Sequence, residues 1–262
     1  MQERDHQHDE IWRSLMVDGM EKFNRGHKLL SYLPSNPRCR FCGAPFDGPG
    51  SVVARVVFGR AKSALNPQIC NVCEKLATDM PGGVEIELSM LFADIRGSTT
   101  LAEKMTPSQF THLINRFYSV ATDILSRGDG LINRFVGDEV VAFFVPGVAG
   151  KAHAHKALEA AKKLLHATGN TPGSTPWAPI GIGLHIGVAY VGAVGGSGSG
   201  DFTALGDPVN VAARLASNAG AGEILASDAL CKAASLSDPA LEHRDLALKG
   251  REERVGVYVL KV

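Results

Sequence analysis

The sequence lacks a long apolar run, an excess of either charge and a recognisable export signal. No apolar segment of the 262 residues reaches the roughly 18 that a membrane-spanning helix requires, and the N-terminal segment MQERDHQHDE is too polar for a signal peptide. Lys and Arg together number 27, as do Asp and Glu, which argues against the basic surface of a general nucleic-acid-binding protein. We therefore expect a cytoplasmic protein with no membrane span and no nucleic-acid partner.

Cysteine is also scarce, but four of the five cysteines form two Cys-x-x-Cys pairs, Cys39/Cys42 and Cys70/Cys73. In a cytosolic chain this pattern favours a metal site over disulfides. Four thiolates suit a tetrahedral structural Zn²⁺, with a redox pair or an iron–sulfur cluster as the alternatives. We expect a module similar to a zinc ribbon over residues 36–80, although the interval between the pairs is longer than is common in such modules.

Residues 1–35, which precede this module, are expected to form a helix. Apolar side chains recur there at a spacing of three to four residues, with charged residues between them, at Ile11, Leu15, Met16, Met20 and Phe23. Such a stripe is typical of a docking or dimerisation face.

From Val84 onwards the pattern alternates between strands and helices, and we expect one α+β domain over residues 84–262. VEIELSMLFADI predicts a long strand, and the segment after Pro107 has the periodicity of a helix. Further expected elements are a hairpin around Gly137–Asp138, a helix over 151–167, a strand pair in IGIGLHIGVAYVGAVGG and DFTALGD, a helix in VNVAARLASNAG, and a C-terminal hairpin. This order indicates a mixed or antiparallel sheet.

Two aspartates lie at the ends of apolar strand segments, Asp94 in LFADIRGST and Asp138 in NRFVGDEVVAFF. A carboxylate in such a position requires a partner, and a cation is the usual one. Carboxylates that hold divalent ions are what two-metal phosphoryl transfer requires. The alternatives are structural: Asp94 caps the helix that follows it, and Asp138 is a turn residue.

Asn210 and Arg214 are four residues apart and therefore share one helical face. Arg214 stands among alanines, with no acid within one turn on its side. This environment suggests an anionic ligand or an acid from elsewhere in the fold. The alternative is an arginine that folds over the protein surface.

These motifs resemble, in order, those of the class III nucleotidyl cyclases, the adenylyl and guanylyl cyclase family. FADIRGST resembles the first metal motif, RFVGDEVVAFF the second, and TALGDPVNVAARL the ribose and transition-state motif, while GIGLHIGVAYVGAVGG resembles the glycine-rich core strand. The resemblance runs from about residue 86 to the C-terminus. It implies a ferredoxin-like βαββαβ core with additional strands, preceded by the small helix and the four-cysteine module.

The resemblance also implies roles for individual residues in the conversion of ATP to 3′,5′-cyclic AMP and pyrophosphate. Asp94, Asp138 and the backbone carbonyl of Ile95 become ligands of two Mg²⁺ or Mn²⁺ ions. Asn210 orients the ribose and Arg214 stabilises the charged transition state. Four further positions contact phosphates: Gly97, Ser98, Thr99 and, less specifically, Lys249. In the family the aspartates and the Asn/Arg pair act from opposite subunits, which implies a homodimer with shared sites.

Two positions that read the base in this family correspond to Arg134 and Thr203. Thr203 resembles the Thr-bearing subgroup of adenylyl cyclases, but Arg134 replaces the lysine that accompanies it there. We therefore expect ATP as the substrate, with a guanylyl or pyrimidine nucleotide cyclase as one alternative, because the fork of an arginine also reaches carbonyl oxygens. A catalytically silent signalling or dimerisation module is the other alternative.

Overall fold

The structure, a computed structural model, describes residues 2–18, 29–30, 32–63, 68–195, 201–251 and 253–262. Met20 and Phe23 of the predicted N-terminal stripe lie outside these residues. The fold divides into two compact units. The first comprises Met1–Ile86, Val145–Gly150 and Ala189–Leu205, and the second comprises Glu87–Phe144, Lys151–Val188 and Gly206–Val262.

Helices dominate the N-terminal third of the chain, and strands and helices alternate after it. In chain order the elements are α1 (Gln2–Arg13), a π-helical turn (Ser14–Asp18), α2 (Gly48–Phe58), α3 (Asn71–Asp79), β1 (Gly82–Ile95), α4 (Ser98–Lys104), α5 (Pro107–Arg127), β2 (Leu131–Val136), β3 (Glu139–Phe144), α6 (Pro146–Ala149), α7 (His153–Ala167), β4 (Ile180–Val194), β5 (Asp201–Leu205), α8 (Asp207–Asn218), β6 (Ile224–Ser227), α9 (Asp228–Ala233), β7 (Glu242–Leu246) and β8 (Val255–Leu260). No helix in the described part of the chain is long and apolar enough to cross a bilayer.

The sheet is mixed and contains the predicted ferredoxin-like core. Its strand order is β2-β3-β1-β4-β6-β8-β7, and β5 pairs with β4 beside this path. The first four strands give the order of a βαββαβ unit, because α5 connects β1 to β2 and α7 connects β3 to β4. β4 and β6 are parallel, whereas β6–β8 and β7–β8 are antiparallel. The predicted α+β class is therefore confirmed.

Local sequence signals account for the main helix of the second unit, α5. The Thr106 side chain accepts a hydrogen bond from the backbone N–H of Gln109, and the Gln109 side chain accepts one from the backbone N–H of Thr106, which forms a capping box. Pro107 occupies the first helical turn, where its missing N–H costs nothing. Phe117, Ala121 and Leu125 then recur at a spacing of four residues and are buried against the sheet.

The helix α8 packs its apolar face on the C-terminal strands of the second unit. Its buried side chains belong to a core cluster formed by Val211, Leu215, Ala219, Leu225, Leu248, Val257 and Val259. Burial of these side chains removes apolar area from water and fixes the rotation of the helix. The opposite face of α8, which carries Asn210, is thereby exposed.

The first unit differs from the sequence-based expectation in two places. Residues 32–47 contain no regular helix, so the helix predicted over residues 1–35 ends before its expected limit. Residues 48–58 form α2, which the valine-rich sequence did not indicate. The Asp47 carboxylate accepts the N–H of Gly48 at the start of α2, and Gly59 ends the helix with a left-handed φ of 63°.

Candidate active site and candidate metal centre

The two aspartates singled out by the sequence lie close together in the second unit. β1 and β3 are antiparallel neighbours, with Asp94 opposite Glu139. The backbone N–H of Ile95 donates to the Asp138 carbonyl oxygen over 3.3 Å. Asp138 and Gly137 form the two-residue loop of the β2–β3 hairpin, and Gly137 supplies the left-handed φ of 61°. The hairpin thus brings Asp138 to the end of β1.

A tyrosine from α5 fixes the tip of this hairpin. The Tyr118 hydroxyl donates a hydrogen bond to the Gly137 carbonyl oxygen. Its ring packs on Phe135 of β2, with the two ring centroids 4.3 Å apart. Burial and the nearby Asp138 carboxylate raise the pKa of Tyr118, which keeps its hydroxyl protonated as the donor. The helix therefore holds the backbone on which Asp138 sits.

Burial and neighbouring acids disfavour the ionisation of Asp94 and Glu139. Burial raises the pKa of Asp94 to about 7, hydrogen bonding with Asp138 and the charge of Glu139 act in the same direction, and Arg96 opposes them. Burial and Asp138 also raise the pKa of Glu139. Carboxylates that are half-buried together are typical of functional sites, since a bound cation relieves their repulsion. Their oxygen ligands suit Mg²⁺ or Mn²⁺.

Arg96 is a member of this site that the sequence motifs did not single out. Its Nη2 lies 2.5 Å from Asp94 Oδ2, and its Nη1 donates to the Ser217 carbonyl oxygen over 3.2 Å. The backbone N–H of Arg96 donates to the Pro179 carbonyl oxygen over 2.7 Å. One arginine thus connects the first aspartate to the end of α8. The signal available in the sequence was a cation two positions after a strand-end acid.

The turn after Asp94 contains the candidate phosphate-binding positions. Gly97, with a left-handed φ of 69°, is the N-cap of α4, and no side chain caps this helix. The alternative in which Asp94 caps the helix is therefore wrong. Ser98 is half-buried and Thr99 is exposed. A Cβ added at Gly97 would have open space around it, so the left-handed backbone is the reason for glycine there.

Asn210 and Arg214 share the outer face of α8, as their spacing predicts. Asn210 is exposed and Arg214 is half-buried. The Arg214 guanidinium lies beside Gly250, where an added Cβ would be 3.5 Å from Nη2. Among the residues that the structure describes, no carboxylate forms an ion pair with Arg214.

The loop that contains Lys249 is fastened to the start of α8. Arg251 forms an ion pair with Asp207, the first residue of α8, and Leu248 is buried in the core cluster beneath the helix. Lys249 itself is exposed. The loop that contains Lys249 therefore lies beside α8, with Gly250 next to the Arg214 guanidinium.

The two candidate base-reading residues lie in different units. Arg134 in β2 is exposed, follows a register shift of the strand, and donates through Nε to Asn133 Oδ1 over 3.1 Å. Thr203 in β5 is half-buried and pairs with Gly192 of β4. Their roles in substrate selection stay predictions.

The four cysteines of the first unit form one buried cluster. Their Sγ atoms all lie within 4.8 Å of one another, and all four thiols are free. Cys42 Sγ and Cys70 Sγ are 3.6 Å apart. Tetrahedral zinc with bonds of about 2.3 Å places its sulfur ligands roughly 3.8 Å apart, so the donor set fits this ion. The separation is far too long for a disulfide.

Hydrogen-bond donors surround the sulfur cluster. The backbone N–H of Cys70 donates to Cys39 Sγ over 3.3 Å, and that of Cys73 donates to Cys70 Sγ over 3.4 Å. The Arg60 guanidinium lies 3.6 Å from Cys70 Sγ and 3.7 Å from Cys73 Sγ. Such donors stabilise thiolates, and they are typical of the groups that surround metal ligands.

A family model matches the C-terminal two thirds of the chain, and several relatives match about two thirds of it. Residues 85–262 match the model described as "Adenylate and Guanylate cyclase catalytic domain". An uncharacterized protein of Mycobacterium tuberculosis is 33% identical over 178 residues, which cover 66% of this chain and 32% of that protein. An adenylate cyclase of Anabaena cylindrica is 30% identical over 187 residues, which cover 66% of this chain and 36% of that protein. The chain thus spans about a third of each of these relatives' lengths.

Two solved structures share the fold of this region. The adenylyl cyclase CyaB from P. aeruginosa is 30% identical, with a TM-score of 0.59, and the match covers 69% of this chain and 96% of that one. The guanylyl cyclase Cya2 is 24% identical, with a TM-score of 0.61, over 68% of this chain and 93% of that one. The second likeness supports the fold alone.

Proposed function

We infer the function from the family to which this chain belongs, the adenylate and guanylate cyclase catalytic domain family. The protein converts ATP to 3′,5′-cyclic AMP and pyrophosphate. The observation that carries this proposal is the meeting of Asp94 and Asp138 at the end of β1 and the tip of the adjacent hairpin. A relative named adenylate cyclase favours ATP as the nucleotide.

Asp94, Asp138 and the carbonyl oxygen of Ile95 are proposed to hold two Mg²⁺ or Mn²⁺ ions. When bound, these ions lower the pKa of the ribose 3′-hydroxyl and neutralise the triphosphate. Arg96 keeps the Asp94 carboxylate oriented through its 2.5 Å ion pair. The proposal assigns no side chain as a general base: positioning and electrostatic stabilisation supply the catalysis.

Asn210 and Arg214 are proposed to serve the α-phosphate end of the substrate. Asn210 orients the ribose, and Arg214 donates to the α-phosphate as negative charge develops during in-line attack. The half-buried Arg214 guanidinium, which no carboxylate of the described segments neutralises, supports this role. In the proposal these two residues act on the metal site of a second copy, so the active form is a homodimer with shared sites.

The remaining phosphate contacts are assigned to two loops of the second unit. Gly97, Ser98 and Thr99 bind phosphate oxygens after β1, and Lys249 contacts the terminal phosphates. The ion pair between Arg251 and Asp207 supports the second assignment, because it fixes the Lys249 loop to α8. An ammonium on a fixed loop binds phosphate as a point charge.

Adenine is the proposed base, read by Arg134 and Thr203. The threonine resembles that of the Thr-bearing adenylyl cyclases, which supports this proposal, and no acidic residue for guanine recognition stands at either position. The exposed Arg134 is the specific feature that favours the second candidate, a guanylyl or pyrimidine nucleotide cyclase.

For the first unit we propose a structural Zn²⁺ bound by Cys39, Cys42, Cys70 and Cys73. Four buried thiolates close the coordination sphere, so the ion stabilises the module and takes no part in catalysis. Reduced thiols agree with a cytoplasmic location.

The test is incubation of the purified protein with each of the four ribonucleoside triphosphates and Mn²⁺ or Mg²⁺, followed by identification of cyclic products. We expect cyclic AMP from ATP as the main product. Cyclic GMP or a cyclic pyrimidine nucleotide as the main product would support the second candidate. No product with any substrate, at a concentration where the dimer is verified, would identify a catalytically silent module.

A further inference from the structure

Three aromatic rings from separate segments meet in the first unit. Trp12 of α1 stacks on Phe202 of β5, with ring centroids 5.8 Å apart and planes 8° apart. Phe41 meets the same ring edge-on, with centroids 6.4 Å apart. Trp12 and Phe41 are buried, so these contacts are shielded from water. Arrangements of this kind contribute beyond their buried area.

Each partner of Phe202 is itself fixed. Phe41 lies between Cys39 and Cys42 in the chain, so its backbone belongs to the turn that carries two of the four clustered thiols. The Trp12 indole N–H donates to the Met80 carbonyl oxygen over 3.3 Å. The helix α3, which carries Cys73, also lies against β5.

Phe202 immediately precedes Thr203, the proposed base-reading residue. Thr203 pairs with Gly192, and a Cβ at Gly192 would lie 2.2 Å from the Gly82 carbonyl oxygen. The neighbouring Gly83 N–H donates to the Asp9 carboxylate of α1 over 3.1 Å. The N-terminal helix thus contacts β5 directly, where Trp12 stacks on Phe202. It also supports β5 indirectly, because Asp9 binds Gly83 and the adjacent Gly82 packs on Gly192, the pairing partner of Thr203.

We propose that Phe202 is a positioning residue through which metal occupancy of the cysteine cluster controls the position of Thr203, the residue proposed to read the base. This inference rests on the proposed function for the role of Thr203. With zinc bound, the Cys39–Cys42 turn holds Phe41 against Phe202, and Trp12 closes the other side. Loss of the ion frees Phe41, and β5 loses one of its two aromatic supports.

The test measures the packing around β5 and does not depend on enzymatic activity. Trp12 and Trp177 are the two tryptophans of the sequence, so Trp177→Phe leaves Trp12 as the single tryptophan, whose fluorescence is excited selectively over that of tyrosine. We expect removal of zinc by a chelator to raise acrylamide quenching of Trp12 about twofold and to speed hydrogen exchange of the β5 amides about tenfold. Phe41→Leu is expected to abolish most of this response. Val72→Ala, an exposed truncation on α3, is the matched control and should retain the response.

The effect on nucleotide binding is measured with Phe202→Leu and with Phe202→Tyr as the conservative variant. For Phe202→Leu we expect the KM for ATP to rise about fivefold, with kcat within about twofold, because base positioning is lost while the reacting groups stay in place. Phe202→Tyr should restore the wild-type KM. Zinc-stripped wild-type protein should behave like Phe202→Leu.

The outcomes separate this inference from the proposed function. Unchanged Trp12 quenching and unchanged β5 exchange after zinc removal would overturn the coupling, whatever the activity. A response in both, with no change of KM for Phe202→Leu, would overturn its positioning role. If neither the wild type nor any variant cyclises a nucleotide, the proposed function fails, and the control of nucleotide binding fails with it. Fluorescence and hydrogen exchange still decide whether the cysteine cluster acts on β5.

Discussion

The cysteine cluster of the first unit and the aspartate pair of the second are both groups of ionisable side chains, but they are built differently. The cysteines are fully buried, number four, and have backbone and arginine donors around their sulfur atoms. The two aspartates are half-buried and have Glu139 beside them. A closed set of soft ligands suits a structural ion, whereas an open pair of oxygen ligands leaves room for substrate.

Replacement of the aspartates should separate the two centres most clearly. We expect Asp94→Asn or Asp138→Asn to lower cyclase activity by at least about 10³-fold, since charge stabilisation by bound ions amounts to several kcal/mol. Zinc content should be unchanged. Asp123→Asn, which removes a surface ion pair with Arg127, is the matched control and should retain activity. A comparable loss in that control would show that the effect is not specific to the site.

Replacement of one thiolate should give the reverse result. For Cys70→Ser we expect bound zinc to fall from about one ion per chain to below about a tenth, and the first unit to unfold at lower temperature. Metal analysis and thermal unfolding measure this. Cys231→Ala, a buried thiol in α9 outside the cluster, should leave the zinc content unchanged. Full zinc retention by Cys70→Ser would contradict the assignment.

Arg60 tests whether the groups around the sulfur atoms matter. Arg60→Met removes the guanidinium that lies 3.6 Å from Cys70 Sγ, and we expect zinc transfer to a competing chelator to become about tenfold faster. Arg60→Lys should restore part of the difference because it keeps the charge. Arg55→Met, an exposed arginine on α2, should transfer zinc at the wild-type rate. Equal rates in all four proteins would exclude a role for Arg60.

Glu223 provides a structural carboxylate to contrast with Asp94. Hydrogen bonding from Arg244 outweighs the effect of burial and lowers the pKa of Glu223 to about 2, and Lys261 acts in the same direction. The pKa of Asp94, in contrast, is raised. The stabilisation from Glu223 is therefore complete above the unfolded pKa of about 4.3 and is lost as pH falls through about 2. We expect Glu223→Gln to lower the free energy of unfolding by about 1–2 kcal/mol at pH 7.

Urea unfolding at several pH values checks this expectation. The difference between Glu223→Gln and wild type should shrink as the pH falls through about 2 and vanish below it. A difference that is constant from pH 7 to pH 2 would mean that packing and not charge is responsible.

Most of the fold was predictable because its elements carry strong local periodicity. β1, α5 and the β2–β3 hairpin follow directly from apolar runs, a capping box and a Gly-Asp turn. β6 and α9 were missed, since four to six residues give too little periodicity. The helix α2 was missed because its valines favour strands, and only the cap at Asp47 and the glycine at its end mark it as a helix.

The candidate site was predictable only in part. The spacing of the motifs identified Asp94, Asp138, Asn210 and Arg214, and the structure places the first two together. Arg96 was not identified, because its contacts with Ser217 and Pro179 join segments that are far apart in the chain. The stacking of Trp12 on Phe202 was not predictable for the same reason, because no local pattern specifies which distant ring a buried aromatic residue contacts.

The aspartate pair is proposed to be half of a site, whereas the cysteine cluster is complete within one chain. Cyclase activity decides this point after Asp94→Ala and Arg214→Ala, each inactive alone, are mixed in equal amounts. If the site is shared, half of the dimers are heterodimers with one intact site, and we expect about a quarter of wild-type activity. A mixture that stays inactive although heterodimers form would contradict the shared site.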